Sequence, residues 1–243
     1  MDLTKLLFRK KPLAGKQNEA DRLKWLEKTL QKIPVGSRIL DAGAGELAQK
    51  KYCTHLNYVS QDFGEYDGSG DGTGLQTKKW DNSKLDITCD IVAIPEADAS
   101  FDAIMCIEVF EHLPEPILAI KEFSRLLKKD GVLVLTAPFC SLTHFAPFHF
   151  YTGFNRYFYE KHLVEHGFEI VEITANGNFF EYVAQELHRM RFCAKKYAKS
   201  NLSLLDRLAI LWIQIRLGKL SEKGNDSNEF LCYGLQVVAR KRV

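Results

Sequence analysis

Apolar positions along the chain follow two alternating rhythms. Between Asn18 and Ile33, Leu23, Leu26, Leu30 and Ile33 recur at spacings of three and four, which predicts a helix with one buried face, ended by Pro34 and Gly36. Arg38 to Asp41 is a short apolar run that enters Ala42-Gly43-Ala44-Gly45, and Glu46 to Lys51 is expected to open the next helix. Asn57 to Asp62 and Leu85 to Cys89 read as strands. Phe101 to Ile107 is nearly all apolar, as a strand buried on both faces should be. Pro116 to Lys129 reads as a helix with Pro116 in its first turn and Gly131 as its cap; Ile117, Ile120, Phe123 and Leu127 are its expected buried stripe. Val132 to Ala137 is a fifth strand. A helix closes over Lys161 to His166, and Phe168 to Thr174 is a sixth strand. A helical segment, roughly Glu181 to Lys219, precedes a last strand at Phe230 to Arg240.

Strands that alternate with helices imply an α/β fold: a Rossmann-like, seven-stranded, mostly parallel sheet with helices on both faces, plus an extra helical segment before the last strand. We expect a single domain over 1–243, with a helical lead-in (1–37), a core (38–180), a helical cap or interface (181–229) and the last strand (230–243). Sheets of this kind bind ligands beyond the carboxyl ends of their strands, near the point where strand order reverses.

Composition narrows the classes further. In 243 residues, 46% are hydrophobic, 26% are charged and the formal net charge is +2, so no global field points to nucleic acid. Cys53, Cys89, Cys106, Cys140, Cys193 and Cys232 form no C-x-x-C pair and no zinc spacing, which suits a reducing cytoplasmic setting. Leu3, Leu6, Leu7 and Phe8 precede Arg9, Lys10 and Lys11, the reverse of a secretory signal. Leu204 to Leu217 is apolar but interrupted by charge and too short to span a bilayer.

The residues just past each strand carry the candidate chemistry. Gly43 and Gly45 let backbone approach a ligand and turn sharply. Gly43-Ala44-Gly45-Glu46-Leu47-Ala48 also fits the looser dinucleotide fingerprint, so a nicotinamide-dependent oxidoreductase is one alternative. Asp41, two residues before Gly43, places a carboxylate suited to a methionine ammonium. Asp62 at the end of the second strand suits the ribose hydroxyls of a nucleoside cofactor, with Phe63 beside it. Asp90 suits an adenine amino group, and Ile91 suits the ring face.

The order of these signals resembles the class I S-adenosylmethionine-dependent methyltransferases. The chain has D-x-G-x-G at Asp41 to Gly45 and D-[IV]-x-x-[IL]-P at Asp90 to Pro95. It continues with S-F-D-x-I at Ser100 to Ile104, E-H-L at Glu111 to Leu113, and Arg125 to Gly131 for R-x-L-x-x-G-G, with Asp130 where the first glycine is usual. Asp tolerates the left-handed turn needed there. The resemblance covers roughly Arg38 to Phe139. It implies S-adenosylmethionine as cofactor: Asp41, Gly43, Ala44 and Gly45 around its methionine part, Asp62 and Phe63 at the ribose, Asp90 and Ile91 at the adenine, and Glu108 beside the sulfonium with His112 near it. In this family the E-H pair often organises its loop. A protein that retains the cofactor pocket without catalysis is a second alternative.

After the fifth strand comes Ala137 to Tyr157, a loop rich in aromatics that contains His144 and His149. It resembles the H-x-x-P-x-H element of bacterial family members associated with glycan or lipid modification. The leading expectation is O-methylation of a small molecule or a glycan- or lipid-linked acceptor; nitrogen and carbon acceptors also occur on this fold. Histidine suits proton removal from a hydroxyl near neutral pH, so His144 and His149 are the candidate bases; the alternative is that both bond backbone carbonyls. Lys and Arg are sparse among the rings, which argues for a packed lid and against nucleic acid. Asp67 to Thr73 opens like a calcium loop, but Lys78 stands at its twelfth position, and no metal is expected. For 181–219 the readings are a helical cap, a homodimer face or a peripheral lipid contact.

Overall fold

The computed structural model describes residues 13–242; the apolar-then-basic stretch at Met1 to Pro12 lies outside them. They form two compact units. One comprises residues 24–174 and 234–242, the other 13–23 and 175–233.

The first unit is built on a seven-stranded sheet in the order β3-β2-β1-β4-β5-β7-β6. The strands are β1 (Arg38–Ala42), β2 (Asn57–Asp62), β3 (Ile87–Thr88), β4 (Phe101–Ile107), β5 (Leu127–Pro138), β6 (Phe168–Asn176) and β7 (Gly234–Lys241). Strands β1 to β5 pair in parallel, while β7 runs antiparallel to β5. Order reverses between β1 and β4, which sets the ligand edge at their carboxyl ends. Leu26 and Leu30 of α1 (Asn18–Leu30) pack with Ile39, Met105 and Val134 from three adjacent strands. Phe110, just past β4, packs against Phe123 of α2 (Pro116–Leu126), ring centroids 6.3 Å apart. The helix α3 (Arg156–Glu165) starts at Asn155, whose side chain accepts from the amides of Tyr157 and Phe158.

Two expected helices differ from expectation for local reasons. Glu46 to Lys51 is not an α-helix but turns leading into a 3-10 turn at Lys50–Tyr52. Gly45 (φ 51) and Leu47 (φ 62) both lie in the left-handed region, and that breaks a right-handed helix. The helix opened by Pro116 ends at Leu126, not Lys129, because Leu127 is already extended (φ −74, ψ 138) and begins β5. The excess residues form a bulge, since Phe101 pairs with Leu127 but Ala103 with Val132. Asp130 takes the left-handed turn (φ 62) within it. The buried stripe accordingly runs through Ala119, Ile120, Phe123 and Leu126, and Ile117 is exposed.

In the second unit the helical segment is two helices, α4 (Phe179–Tyr197) and α5 (Leu204–Ser221). Asn178 caps α4 by accepting from the amides of Phe180 and Glu181. Ser203 and Asp206 form a reciprocal capping box on α5. The Gln214 side chain donates to the Ala184 carbonyl at 3.4 Å, tying α5 to α4. Leu204, Leu205, Leu208 and Trp212 remain exposed on α5. Among the described residues, no helix is long and apolar enough to cross a membrane, and all six cysteines are free thiols.

Candidate functional site

The carboxyl ends of β1, β2 and β4 converge. Asp41 is buried at the end of β1 and accepts from the Tyr58 hydroxyl at 2.6 Å. Burial pushes its carboxyl up to about 7, the Tyr58 bond opposes that, and the neighbouring Asp62 adds to it. A buried carboxylate in this state is set up to receive a cation.

The loop that follows is shaped by its glycines. Gly43 (φ 80) has Val109 against it, where a Cβ would lie 2.4 Å from the methyl Cγ2. At Gly45 (φ 51) a Cβ would lie 2.5 Å from the Trp80 ring. Both amides of Gly43 and Ala44 donate to the Gln61 carbonyl, at 2.8 and 2.9 Å, so the loop is strapped to β2. Asp62 completes the strap by accepting from Gly45 N at 2.9 Å and Gly64 N at 3.0 Å. Each carboxylate oxygen keeps a further lone pair for a hydroxyl. The buried Oε1 of neighbouring Gln61 has no hydrogen-bond partner. A glycine cradle, a buried acid and a vacant acceptor fit a cationic, hydroxyl-bearing cofactor.

Past β3, Asp90 is exposed and accepts from Val92 N at 3.1 Å, while Ile91 is buried. Arg125 of the R-x-L motif fixes this turn by donating to the carbonyls of Ile94 at 3.0 Å and Glu96 at 2.8 Å. It also pairs with Glu122, which accepts from Ile94 N at 2.8 Å. Glu108, just past β4, lies in the left-handed region (φ 56) and accepts from the Thr136 hydroxyl at 2.9 Å. Strained backbone at a strand end is typical of a site that must aim a side chain.

The other half of the site consists of two loops. The glycine-rich excursion after β2 packs on the loop after β5: Leu75 N donates to the Thr143 carbonyl at 3.0 Å, and Phe145 N to the Leu75 carbonyl at 2.9 Å. Asp67 and Asp71 each cap their own turn, accepting from Ser69, Gly70 and Thr73 amides. Tyr66, Trp80 and Phe145 form an aromatic cluster, with Tyr66 and Phe145 stacked at 4.6 Å. Phe63 meets Phe148 edge-to-face at 4.9 Å.

His112, His144 and His149 gather under these loops, with ring centroids 4.6 Å (112–144) and 4.8 Å (144–149) apart. His112 donates from Nδ1 to the Phe148 carbonyl at 2.5 Å, and the Glu111 carbonyl accepts from the Phe150 and Tyr151 amides at 2.9 and 3.1 Å. The E-H pair therefore holds the loop. Burial, aided by the His144 charge, lowers the His112 pKa to about 3. Burial also acts to lower that of His144, but the Glu111 side chain and the Leu142 carbonyl outweigh it and the net shift is upward. His149 is lowered by burial and by His144. The Ser141 hydroxyl donates to the Thr152 carbonyl at 3.1 Å, so it accepts from His149 Nε2 at 3.2 Å, and His149 Nδ1 carries the lone pair.

Linear sequence missed Glu111 as more than a motif letter, along with Tyr58, Trp80, Tyr66 and Phe145. It also saw no ligand cluster, whereas Glu111, His112 and His144 bring one potential ligand atom each within 4.8 Å of one another. Their loops follow different strands, so no spacing rule reveals them. A cavity of about 470 Å³ lined by Lys32, Pro34, Asp102, Lys128 and Arg240 lies by the amino ends of β1 and β4, away from all this chemistry. Strand-end geometry carries more weight than concavity here.

The strand order and the loops at its carboxyl edge define the class: this is the fold of the class I S-adenosylmethionine-dependent methyltransferases. Residues 40–135 match the family described as Methyltransferase domain, and that segment is such a domain. A ubiquinone biosynthesis O-methyltransferase of Xanthomonas oryzae pv. oryzae is 46% identical over 41 residues, a match that spans only 17% of this chain and 17% of that relative. A SAM dependent methyltransferase from Archaeoglobus fulgidus superposes with a TM-score of 0.55 at 18% identity, covering 91% of this chain and 94% of the other. The cyclase SpnF superposes with a TM-score of 0.56 at 19% identity, covering 97% and 86%. These two structures are similar to this chain in fold alone, and the cyclase illustrates that the fold does not fix the reaction.

Proposed function

We propose that this protein transfers a methyl group from S-adenosylmethionine to an oxygen of a small molecule or of a glycan- or lipid-linked acceptor. The observation that carries this reading is the buried Asp41 beside a glycine loop strapped to Asp62, with three histidines gathered near the same strand ends. The cofactor supplies an electrophilic methyl on a sulfonium. Asp41 and the Gly43–Gly45 backbone hold its methionine end; Asp62 takes the ribose, and Asp90 with Ile91 the adenine. Phe63 closes over the nucleoside and meets the acceptor loop through Phe148. Glu108, aimed by its left-handed backbone, orients the reacting end.

On the acceptor side, His149 presents Nδ1 as a base for a hydroxyl proton, held in that tautomer by Ser141. His144 positions the loop and faces Glu111. The two packed loops exclude water from the methyl. The ubiquinone relative acts at oxygen by its name, which supports an oxygen acceptor. Calorimetry with S-adenosylhomocysteine and with NAD tests the cofactor: binding of the first and not the second is expected, and the reverse result replaces this reading with an oxidoreductase. Methyl release from labelled cofactor in cell extract, expected for an enzyme, then separates catalysis from mere binding.

A further inference from the structure

Glu111 is 1% exposed, and a buried carboxylate is costly unless it is paired and hydrogen-bonded. Nε2 of His112 and Nε2 of His144 each stand 3.7 Å from its Oε1, beyond hydrogen-bond length. Its other oxygen, Oε2, is buried with no hydrogen-bond partner. Both imidazoles donate Nδ1–H to backbone carbonyls, His112 to Phe148 and His144 to Leu142 at 2.8 Å. That anchoring fixes the tautomer of each neutral imidazole, so that in this form both Nε2 lone pairs face one carboxylate, the way metal-binding histidines are held by their outer partners; a metal ion would take the place of the His144 proton.

We propose that Glu111, His112 and His144 bind one divalent transition-metal ion of the zinc class. Bonds of ~2.1 Å at tetrahedral angles set neighbouring ligand atoms ~3.4 Å apart. The 3.7 Å spacings are near that value, and the wider separation, at most 4.8 Å, closes by small rotations of rings carried on loops. Two imidazoles and one carboxylate favour zinc, cobalt or iron over magnesium or calcium, which prefer all-oxygen shells. Three protein ligands leave a position open, as in sites where the metal meets a substrate. On the methyltransferase reading, and resting on it, that position takes the acceptor oxygen, which restricts acceptors to hydroxyls that coordinate a soft-borderline cation. The ion itself requires only the three side chains.

The full chain, freed of metal by chelator and dialysis, is titrated with Co²⁺ and then Zn²⁺. One Co²⁺ per chain, with the strong visible absorption of a four-coordinate ion, displaced by Zn²⁺ and indifferent to Mg²⁺, is the expected result. His144→Ala and Glu111→Gln should each weaken Zn²⁺ binding at least ~10-fold, while Cys140→Ser, at an exposed thiol of the same loop as His144, binds as wild type. Wild-type protein without a Co²⁺ band, an unchanged Zn²⁺ affinity in His144→Ala, or loss in Cys140→Ser overturns the site. His144 is only half-buried, so its variant decides the matter if Glu111→Gln does not fold by circular dichroism. S-adenosylhomocysteine calorimetry on the same samples keeps the two readings apart: metal without cofactor binding removes the methyltransferase, and cofactor without metal binding removes the ion.

Discussion

The two halves of the site are built by opposite means. At the ends of β1 and β2 the recognition surface is largely backbone: Gly43, Ala44 and Gly45 amides are fixed by the Gln61 carbonyl and the Asp62 carboxylate. At the ends of β4 and β5 it is side chain: three imidazoles and a buried glutamate on loops that hold each other by a few hydrogen bonds. Backbone sites demand particular residue types at fixed spacing. Side-chain clusters demand only proximity in space, and many sequences supply that. The backbone half is therefore constrained in its residue types, and the side-chain half is not.

The contrast is tested most strongly at His149. His149→Ala should lower turnover about 10²–10⁴-fold, the usual contribution of a positioned base, and leave S-adenosylhomocysteine affinity at its wild-type value. Single-turnover kinetics and calorimetry on the same protein read the two quantities. A matching fall in cofactor affinity would merge the halves into one, and unchanged turnover would place the proton acceptor elsewhere.

The next effect lies in the cofactor half and depends on pH. Burial raises the Asp41 carboxyl to about 7 in the folded protein, against 3.8 for the free group. A folded pKa above the unfolded one means the proton stabilises the native state. That contribution is complete below about pH 4 and is lost as pH rises through about 7. A cofactor ammonium prefers the carboxylate, so its binding has the opposite sign. S-adenosylhomocysteine affinity should climb up to about tenfold per pH unit below about pH 7 and level off above it. Calorimetry across pH 5.5 to 8 that gives a flat profile would remove Asp41 from the methionine end.

Asp62→Ala comes third. It removes the acceptor for the Gly45 and Gly64 amides and the one proposed for the ribose, and we expect cofactor affinity to fall by ~1–3 kcal/mol, the cost of buried polar groups left unpaired. Turnover at saturating cofactor should hold. Unchanged affinity in a folded variant would mean the residue only straps the loop.

The same contrast explains how much was legible in the sequence. The runs over Asn57–Asp62 and Phe101–Ile107 read as strands because burial writes itself as uninterrupted apolar residues. Asp41, Gly43 and Asp62 stand out in the sequence because their spacing and strand-end positions mark them, and the structure brings them to one edge of the sheet. The Glu46–Lys51 helix failed because Leu47 takes a left-handed conformation that leucine does not announce. Gly131 suggested a helix cap, yet β5 had already begun at Leu127, because pairing with β4 outweighed helix propensity. The strap between the loops after β2 and β5, and the buried Glu111 beneath the histidines, are contacts between distant segments of irregular backbone, where no periodicity operates.

The smallest effect probes the seam between the halves. Phe63 follows β2 on the cofactor side, and Phe148 flanks His149 on the acceptor side; their rings meet edge-to-face at 4.9 Å and 79°. Such pairs contribute ~0.5–1.5 kcal/mol beyond the area they bury. Phe63→Leu and Phe148→Leu keep most of the apolar volume and remove the ring geometry, so a double-mutant cycle in urea isolates the pair. We expect a coupling of ~0.5–1 kcal/mol in stability at unchanged m-value. Because Phe63 also follows Asp62, the proposed ribose acceptor, the coupling should grow when S-adenosylhomocysteine is present if the nucleoside holds the Phe63 ring in place. A coupling below about 0.3 kcal/mol, within the scatter of independent sites, would show that the halves communicate by some route other than this contact. A coupling that is clear without cofactor and vanishes with it would mean that Phe63 leaves Phe148 on binding, and the acceptor loop would then be released rather than closed by the cofactor.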